Sequence, residues 1–261
     1  MKELLKRSVF GLLYVLVVIF SLQSLEGKTL LMAFFLAIGL KEFSKLRNLH
    51  YSTVLLPAMF VFLSSFIFNY TPMLSVKVLH LSVAFMLIAL FIPLIYFIFD
   101  KISSKMIADF YLAVFYLAVP FSIALAIDNK LLLAVFVIIW ASDSFAYLTG
   151  KYFGKHKLAE KISPKKTIEG LLGGMSGSLL TAYLLYRFTD WMGDLNLIKF
   201  LLLALIIVVF GTLGDLLQSR FKRLAGVKDS GNLIPGHGGI LDRLDSFILA
   251  IPFVFAYILI V

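Results

Sequence analysis

Residues 200–215 read FLLLALIIVVFGTLGD. Eleven apolar residues in succession, Phe200 to Phe210, lead through Gly211 and Gly214 to a carboxylate, Asp215. Continued to residues 197 and 218, the run reaches the roughly 20 mostly apolar residues that cross a bilayer as a helix. In hydrocarbon each backbone N–H and C=O must be paired within the segment, and a helix does this. An aspartate inside such a segment costs on the order of 2.5–3.5 kcal/mol at the helix centre, so Asp215 calls for a reason beyond spanning.

Outward from this helix the pattern repeats. Residues 8–25, 29–46, 52–70, 78–99, 107–127, 130–149, 171–188, 197–218 and 240–261 qualify as spans, which predicts an all-α, polytopic integral membrane protein with about nine transmembrane helices. The second is the weakest, because Lys41, Glu42 and Lys45 interrupt its end. Composition agrees: the 261 residues are 61% hydrophobic and 15% charged, more apolar surface than one soluble core can bury. Lys2, Lys6 and Arg7 precede an apolar run with no small-x-small cleavage site after it, so residues 8–25 read as a retained span rather than a cleaved signal. The chain reads as a single membrane domain, with 1–130 as generic spans and 131–261 as the chemical portion. No repeat marks an inverted-repeat transporter.

Lysine and arginine set the orientation. With the N-terminus cytoplasmic, eighteen fall on that side and five opposite, with Arg243 inside a helix. The net charge of +9 then reflects loops facing anionic lipid and not nucleic acid. The expected location is the cell inner (plasma) membrane, with the site on its cytoplasmic face. Cysteine is absent, so chemistry falls to carboxylates, His, Lys, Arg and hydroxyls.

Asp215 has company. Asp242 and Asp245, three residues apart, share one face at the start of the last helix, and antiparallel packing would bring all three carboxylates to one depth. Such an oxygen cluster suits Mg²⁺, with substrate phosphates and water completing its shell. The alternative is that each aspartate only pairs with a cation, Arg220 or Arg243, to lower its insertion cost. The connecting loop, 219–239, favours the metal: it carries Arg220, Lys222, Arg223, Lys228, Asp229, His237 and five glycines. Lys and Arg neutralise phosphate, and glycine lets backbone amides turn toward a polyanion. A second basic loop, 150–170, ends in ISPKKTIEG (162–170), where Pro164 fits a first helical position, Ser163 or Thr167 a cap, and Lys165 and Lys166 a phosphate. Asp143 and Ser144 add a carboxylate and a hydroxyl on the same side. Gly170, Gly173, Gly174 and Gly177 read as close helix packing.

At residues 219–245 the chain reads SRFKRLAGVKDSGNLIPGHGGILDRLD. This stretch resembles the signature of the phosphatidate cytidylyltransferases, or CDP-diglyceride synthases, and the segment from Asp143-Ser144 to Gly170 is also similar to that family. The resemblance implies an enzyme that joins CTP and phosphatidic acid into CDP-diacylglycerol and pyrophosphate, dependent on Mg²⁺, with a second, monovalent cation such as K⁺ beside it, and working as a homodimer. Within it Asp215, Asp242 and Asp245 are the expected metal ligands. Asp143, Ser144, Lys165, Lys166, Thr167, Ser219, Lys222, Arg223, Lys228, Asp229 and Arg243 are expected on CTP or the lipid phosphate, with Lys222 also catalytic and His237 serving the leaving pyrophosphate. A sister enzyme for another lipid phosphate or polyprenol is the alternative, and a transporter the non-enzymatic one.

Overall fold

The computed structural model describes residues 2–70, 103–233 and 238–261. The expected span 78–99 and His237 lie outside them. Helices α1 (Lys2–Ser21), α2 (Leu25–Arg47) and α3 (Tyr51–Tyr70) come first. Next, α4 (Ser104–Ala113) runs through a π-helical turn, Val114–Ala118, into α5 (Val119–Ala124). Then come α6 (Asn129–Phe153), strands β1 (Lys157–Ala159) and β2 (Ser163–Thr167), α7 (Ile168–Phe188), α8 (Leu197–Leu224) and α9 (Leu241–Ile260). Eight of the nine expected segments fall on these helices.

Among the described residues, five helical stretches are long and apolar enough to cross a membrane: Lys105–Ala124, α6, α7, α8 and α9. The continuous stretch through the π turn exists because Val119 N–H reaches back to Val114 O, one residue further than in an α-helix, just before Pro120 supplies no N–H at all.

Caps punctuate the chain where short polar residues precede apolar runs. Ser24 accepts from Gly27 N, Asp128 from Lys130 N and Leu131 N, Thr167 from Gly170 N and Asn196 from Lys199 N. Asn48 closes α2 in the left-handed region at φ 57°, a conformation asparagine tolerates.

Two helix pairs, α6 with α7 and α8 with α9, form the most extensive packing. Glycine makes both close. Gly174 lies where a β-carbon would sit 3.1 Å from Ser142 O, and at Gly173 and Gly177 one would collide with Thr149 and Phe145. The glycine run therefore joins α7 to α6 within one chain, as its spacing suggested. Gly211 and Gly214 do the same for α8 against Ser246 and Asp245 of α9. Between the layers, Phe136 of α6 stacks on Phe247 of α9 with centroids 4.7 Å apart, and Phe121 of α5 joins them.

The loop 150–170 corrects one expectation. Pro164 does not open α7; it lies in β2 of a small antiparallel hairpin, paired Lys157 with Thr167 and Ala159 with Ser163. Glu169, in the first turn of α7, ties the base of this hairpin by accepting from Lys155 N at 3.0 Å and His156 N at 3.2 Å. With its start held there, the helix begins after Thr167, the second of the two caps the sequence offered.

Candidate functional site

The hairpin and five helices line two neighbouring cavities. The larger, about 470 Å³, is bounded by Ser142, Asp143, Tyr147 and Lys151 of α6, Lys165, Lys166 and Thr167 of β2, Gly170 of α7, Thr212 and Asp215 of α8 and Ser246 of α9. The smaller, about 280 Å³, is bounded by Phe10, Gly11, Tyr14 and Val15 of α1, Trp140 and Asp143 of α6, and Asp242, Arg243 and Asp245 of α9. Asp143 borders both, and also a narrow space between α6, α8 and α9 that links Thr212 and Ser246 to it. One cavity is thus walled by three lysines and two aspartates, the other by aromatic and aliphatic side chains with three aspartates and a single arginine.

Three carboxylates from three helices converge at this junction. Asp143, Asp215 and Asp245 lie near enough for their charges to act on one another. Asp215 holds Lys166 Nζ at 2.7 Å on one oxygen and accepts from Ser219 Oγ at 3.2 Å on the other, so the hairpin is anchored to α8 across the larger cavity. Asp245 accepts from the backbone N–H of Ser246.

Asp242 has a different environment. Its side chain is 6% exposed, Oδ1 lies 2.7 Å from Lys222 Nζ, and Oδ2 takes the N–H groups of Ser230 at 2.8 Å and Gly239 at 2.9 Å, with Ser230 Oγ at 3.0 Å. Both oxygens of Asp242 are therefore engaged by protein donors. Among the described residues no group of three or more His, Asp and Glu is drawn tightly enough to hold a metal ion by itself.

The remaining expected residues divide. Lys165, Lys166, Thr167 and Arg243 border a cavity. Ser144 Oγ donates to Trp140 O on its own helix at 2.8 Å, and Arg223 Nη1 donates to Val227 O at 3.0 Å, closing the end of α8. Lys228 and Asp229 are exposed on the loop and border neither cavity. Thr167 is both wall and helix cap.

The glycine-rich loop corrects a second expectation. Loop amides were expected to turn toward a polyanion, but those of Ser230 and Gly239, and those of Ile240 and Leu241 just after the loop, are held by protein carboxylates. Two of the four belong to Glu42 of α2, a residue whose only signal in the sequence was that it interrupts a span. A charge inside an apolar helix was the clue, and the residue it would face could not be read. Ser142, Lys151, Thr212 and Ser246 also went unmarked, as small or surface-type residues with no motif around them.

Residues 5–261 match the model of the cytidylyltransferase family. A phosphatidate cytidylyltransferase of Haemophilus influenzae is 50% identical over 129 residues, which make up 49% of this chain and 44% of that protein. One of Staphylococcus haemolyticus is 50% identical over 121 residues, 46% of each chain, and one of Staphylococcus epidermidis 48% identical over 123 residues, 47% of this chain and 46% of the relative. The aligned stretch spans under half the length of each of these relatives.

Proposed function

Because this chain belongs to the cytidylyltransferase family, we propose that it transfers the cytidylyl group of CTP to phosphatidate at the junction of the two cavities, releasing pyrophosphate. The observation that carries the reading is Asp143, shared by a cavity whose three lysines suit a triphosphate and one where Arg243 lies beside the aromatic and aliphatic side chains of Phe10, Tyr14, Val15 and Trp140. In the reaction a phosphatidate oxygen forms a bond to the α-phosphorus of CTP while the bond from that phosphorus to the bridging oxygen breaks, and pyrophosphate leaves with the electron pair. The nucleophile is already ionised, so no side chain acts covalently. The protein's part is to position two polyanions and offset their charge.

Lys165, Lys166 and Lys151 face the nucleotide phosphates in this reading, and Arg243 the lipid phosphate. Tyr14, Phe10, Val15 and Trp140 line the space beside that phosphate, which lets the acyl chains remain in the membrane. Asp143, Asp215 and Asp245 would offer hard oxygens to Mg²⁺, a cation that completes its shell with water and substrate phosphate. When bound, the ion would offset charge on the transferring phosphoryl group. Asp242 supports the loop in this scheme.

We further propose a cytoplasmic N-terminus, nine spans, an inner-membrane location and a homodimer. Sidedness is supported by the ends of the helices: Lys130 pairs with Asp190, and Lys199 Nζ donates to Val261 O at 2.6 Å, at the end of α6, α7, α8 and α9 away from the hairpin. The lysine-rich end is the one that carries the cavities. The dimer rests on the resemblance alone, and light scattering of the purified chain decides it.

The deciding assay is pyrophosphate release by purified protein with CTP, phosphatidate and Mg²⁺, run beside other lipid phosphates and polyprenols. Silence with every lipid, or full activity in Asp215→Asn and Asp143→Asn, would sink the proposal.

A further inference from the structure

Helix α9 carries Asp242, Arg243 and Asp245 in its first turns, yet it begins without a side-chain cap of its own: Ile240, where a cap residue would stand, is apolar and already helical. The first N–H groups of a helix have no partner within it and need acceptors from elsewhere. Here they come from α2. Glu42 Oε1 accepts from Ile240 N at 2.9 Å, and Oε2 from Leu241 N at 3.0 Å and Ser230 Oγ at 2.8 Å. Glu42 is 8% exposed and Ser230 4%.

Gly231 and Gly239 also lie against this carboxylate. A β-carbon on Gly231 would lie 2.7 Å from Glu42 Oε1, and one on Gly239 would collide with Ser230 Oγ and Glu42 Oε2. Both glycines let the backbone lie directly on the carboxylate. Ser230 also reaches Asp242, which holds Lys222, so one unbroken chain of polar contacts joins α2, the loop, α9 and α8. Because Arg243 and Asp245 extend from the same helical turns, the depth and rotation of α9 at its capped end set where they enter the smaller cavity.

We infer that Glu42 is a positioning residue of the reaction: it holds the first turn of α9 and the loop before it, and through them places Arg243 and Asp245, without touching substrate. The inference rests on the cytidylyltransferase reading for its kinetic consequence and on the hydrogen bonds alone for its structural one. Both carboxylate oxygens serve as acceptors, which explains why glutamate is needed. Glutamine would turn an NH₂ group toward one set of donors, and aspartate is shorter by one carbon–carbon bond, about 1.5 Å, and cannot span both amides.

The test uses the full chain in lipid nanodiscs, as wild type, Glu42→Gln, Glu42→Asp, Ser230→Ala and the Glu42→Gln/Ser230→Ala double variant. Hydrogen exchange of the amides at 239–243 should quicken by about tenfold or more in Glu42→Gln, while those of α6 and α8 stay unchanged. The turnover number should fall by about tenfold or more with the KM for CTP within about threefold, because placement is lost and nucleotide contacts are kept. Glu42→Asp should not restore turnover. Ser230→Ala should lose less, and the double variant no more than Glu42→Gln, since both break one network. Unchanged exchange at 239–243, or wild-type turnover in Glu42→Gln, overturns the inference. So does loss of protection throughout the protein while Ser230→Ala keeps full turnover, which would make Glu42 a general stability residue. If wild type releases no pyrophosphate the reaction reading fails, and the exchange arm still decides whether Glu42 holds α9.

Discussion

Two ion pairs, one in each half of the chain, show how differently the halves use charge. In the first half Arg47, at the end of α2, donates Nε to Asp109 Oδ1 of α4 at 2.9 Å, and the aspartate side chain is 3% exposed. In the second, Lys222 of α8 holds the similarly buried Asp242 of α9. The first borders neither cavity and fastens one helix to another. The second continues through Ser230 to Glu42 and to the turn that carries Arg243 and Asp245. Two buried aspartates, each paired with a cation, are thus set in different surroundings, one fastening two helices and the other joined to a longer network, and that network decides what a pair does.

Substitution at the cavity junction should have the largest effect and tests whether alignment has the purpose proposed. Asp143→Asn and Asp245→Asn should each lower pyrophosphate release by roughly a thousandfold, the upper scale for losing one preorganised stabilising group, with thermal stability no lower than wild type. Neither substitution breaks a side-chain contact as the Lys222 substitution does. A loss of stability that matched the loss of activity would dissolve the distinction between the two kinds of charge.

The two pairs can be set directly against each other. Arg47→Met and Lys222→Met each leave a buried carboxylate without its cation, and each should destabilise the protein by about 3–5 kcal/mol, read as a fall in the midpoint of thermal unfolding in detergent. Lys222→Met should also lower turnover at temperatures where it remains folded, and Arg47→Met should not. Equal turnover in the two variants would mean that the Lys222 pair is a fastener too.

A milder change sharpens the role of the hairpin. Lys165→Met removes an exposed cation from the wall of the larger cavity and should raise the KM for CTP by about tenfold, an effect that shrinks at high salt as phosphate attraction is screened. Lys166→Met should do the same and in addition free Asp215 from its ion pair.

How much of this was legible follows the range over which each feature is determined. The apolar runs located eight helical segments because hydropathy is local, and glycine spacing announced a close-packed face on α7, though not its partner, because a helix repeats on itself. Asp143 and Asp215 were visible as charges where charge is costly, and Lys165 and Lys166 as a basic pair ahead of a helix. The engagement of Asp242 was not, since it depends on contacts from Lys222, Ser230 and Gly239 that only the folded loop assembles. Glu42 was the least legible, because its partners Ser230, Ile240 and Leu241 lie 188 to 199 positions further along the chain.

The two helix caps nearest the cavities turn that contrast into a last prediction. Thr167 caps α7 from the adjacent residue, accepting from Gly170 N at 3.1 Å, and is 6% exposed. Such a local cap is written in the sequence as a hydroxyl before a helical run, and Thr167→Ala should cost about 1 kcal/mol of stability, the usual scale for an N-cap. Its kinetic effect should be small, because Glu169 still ties the hairpin to α7. Glu42 caps α9 from another helix and supports the loop as well, so Glu42→Gln should exceed Thr167→Ala in its effect on turnover while resembling it in the number of helix N–H groups disturbed. Thermal unfolding and turnover measured on the two variants side by side give the answer. A larger loss of turnover in Thr167→Ala would place alignment of the site in the hairpin and take it from α2.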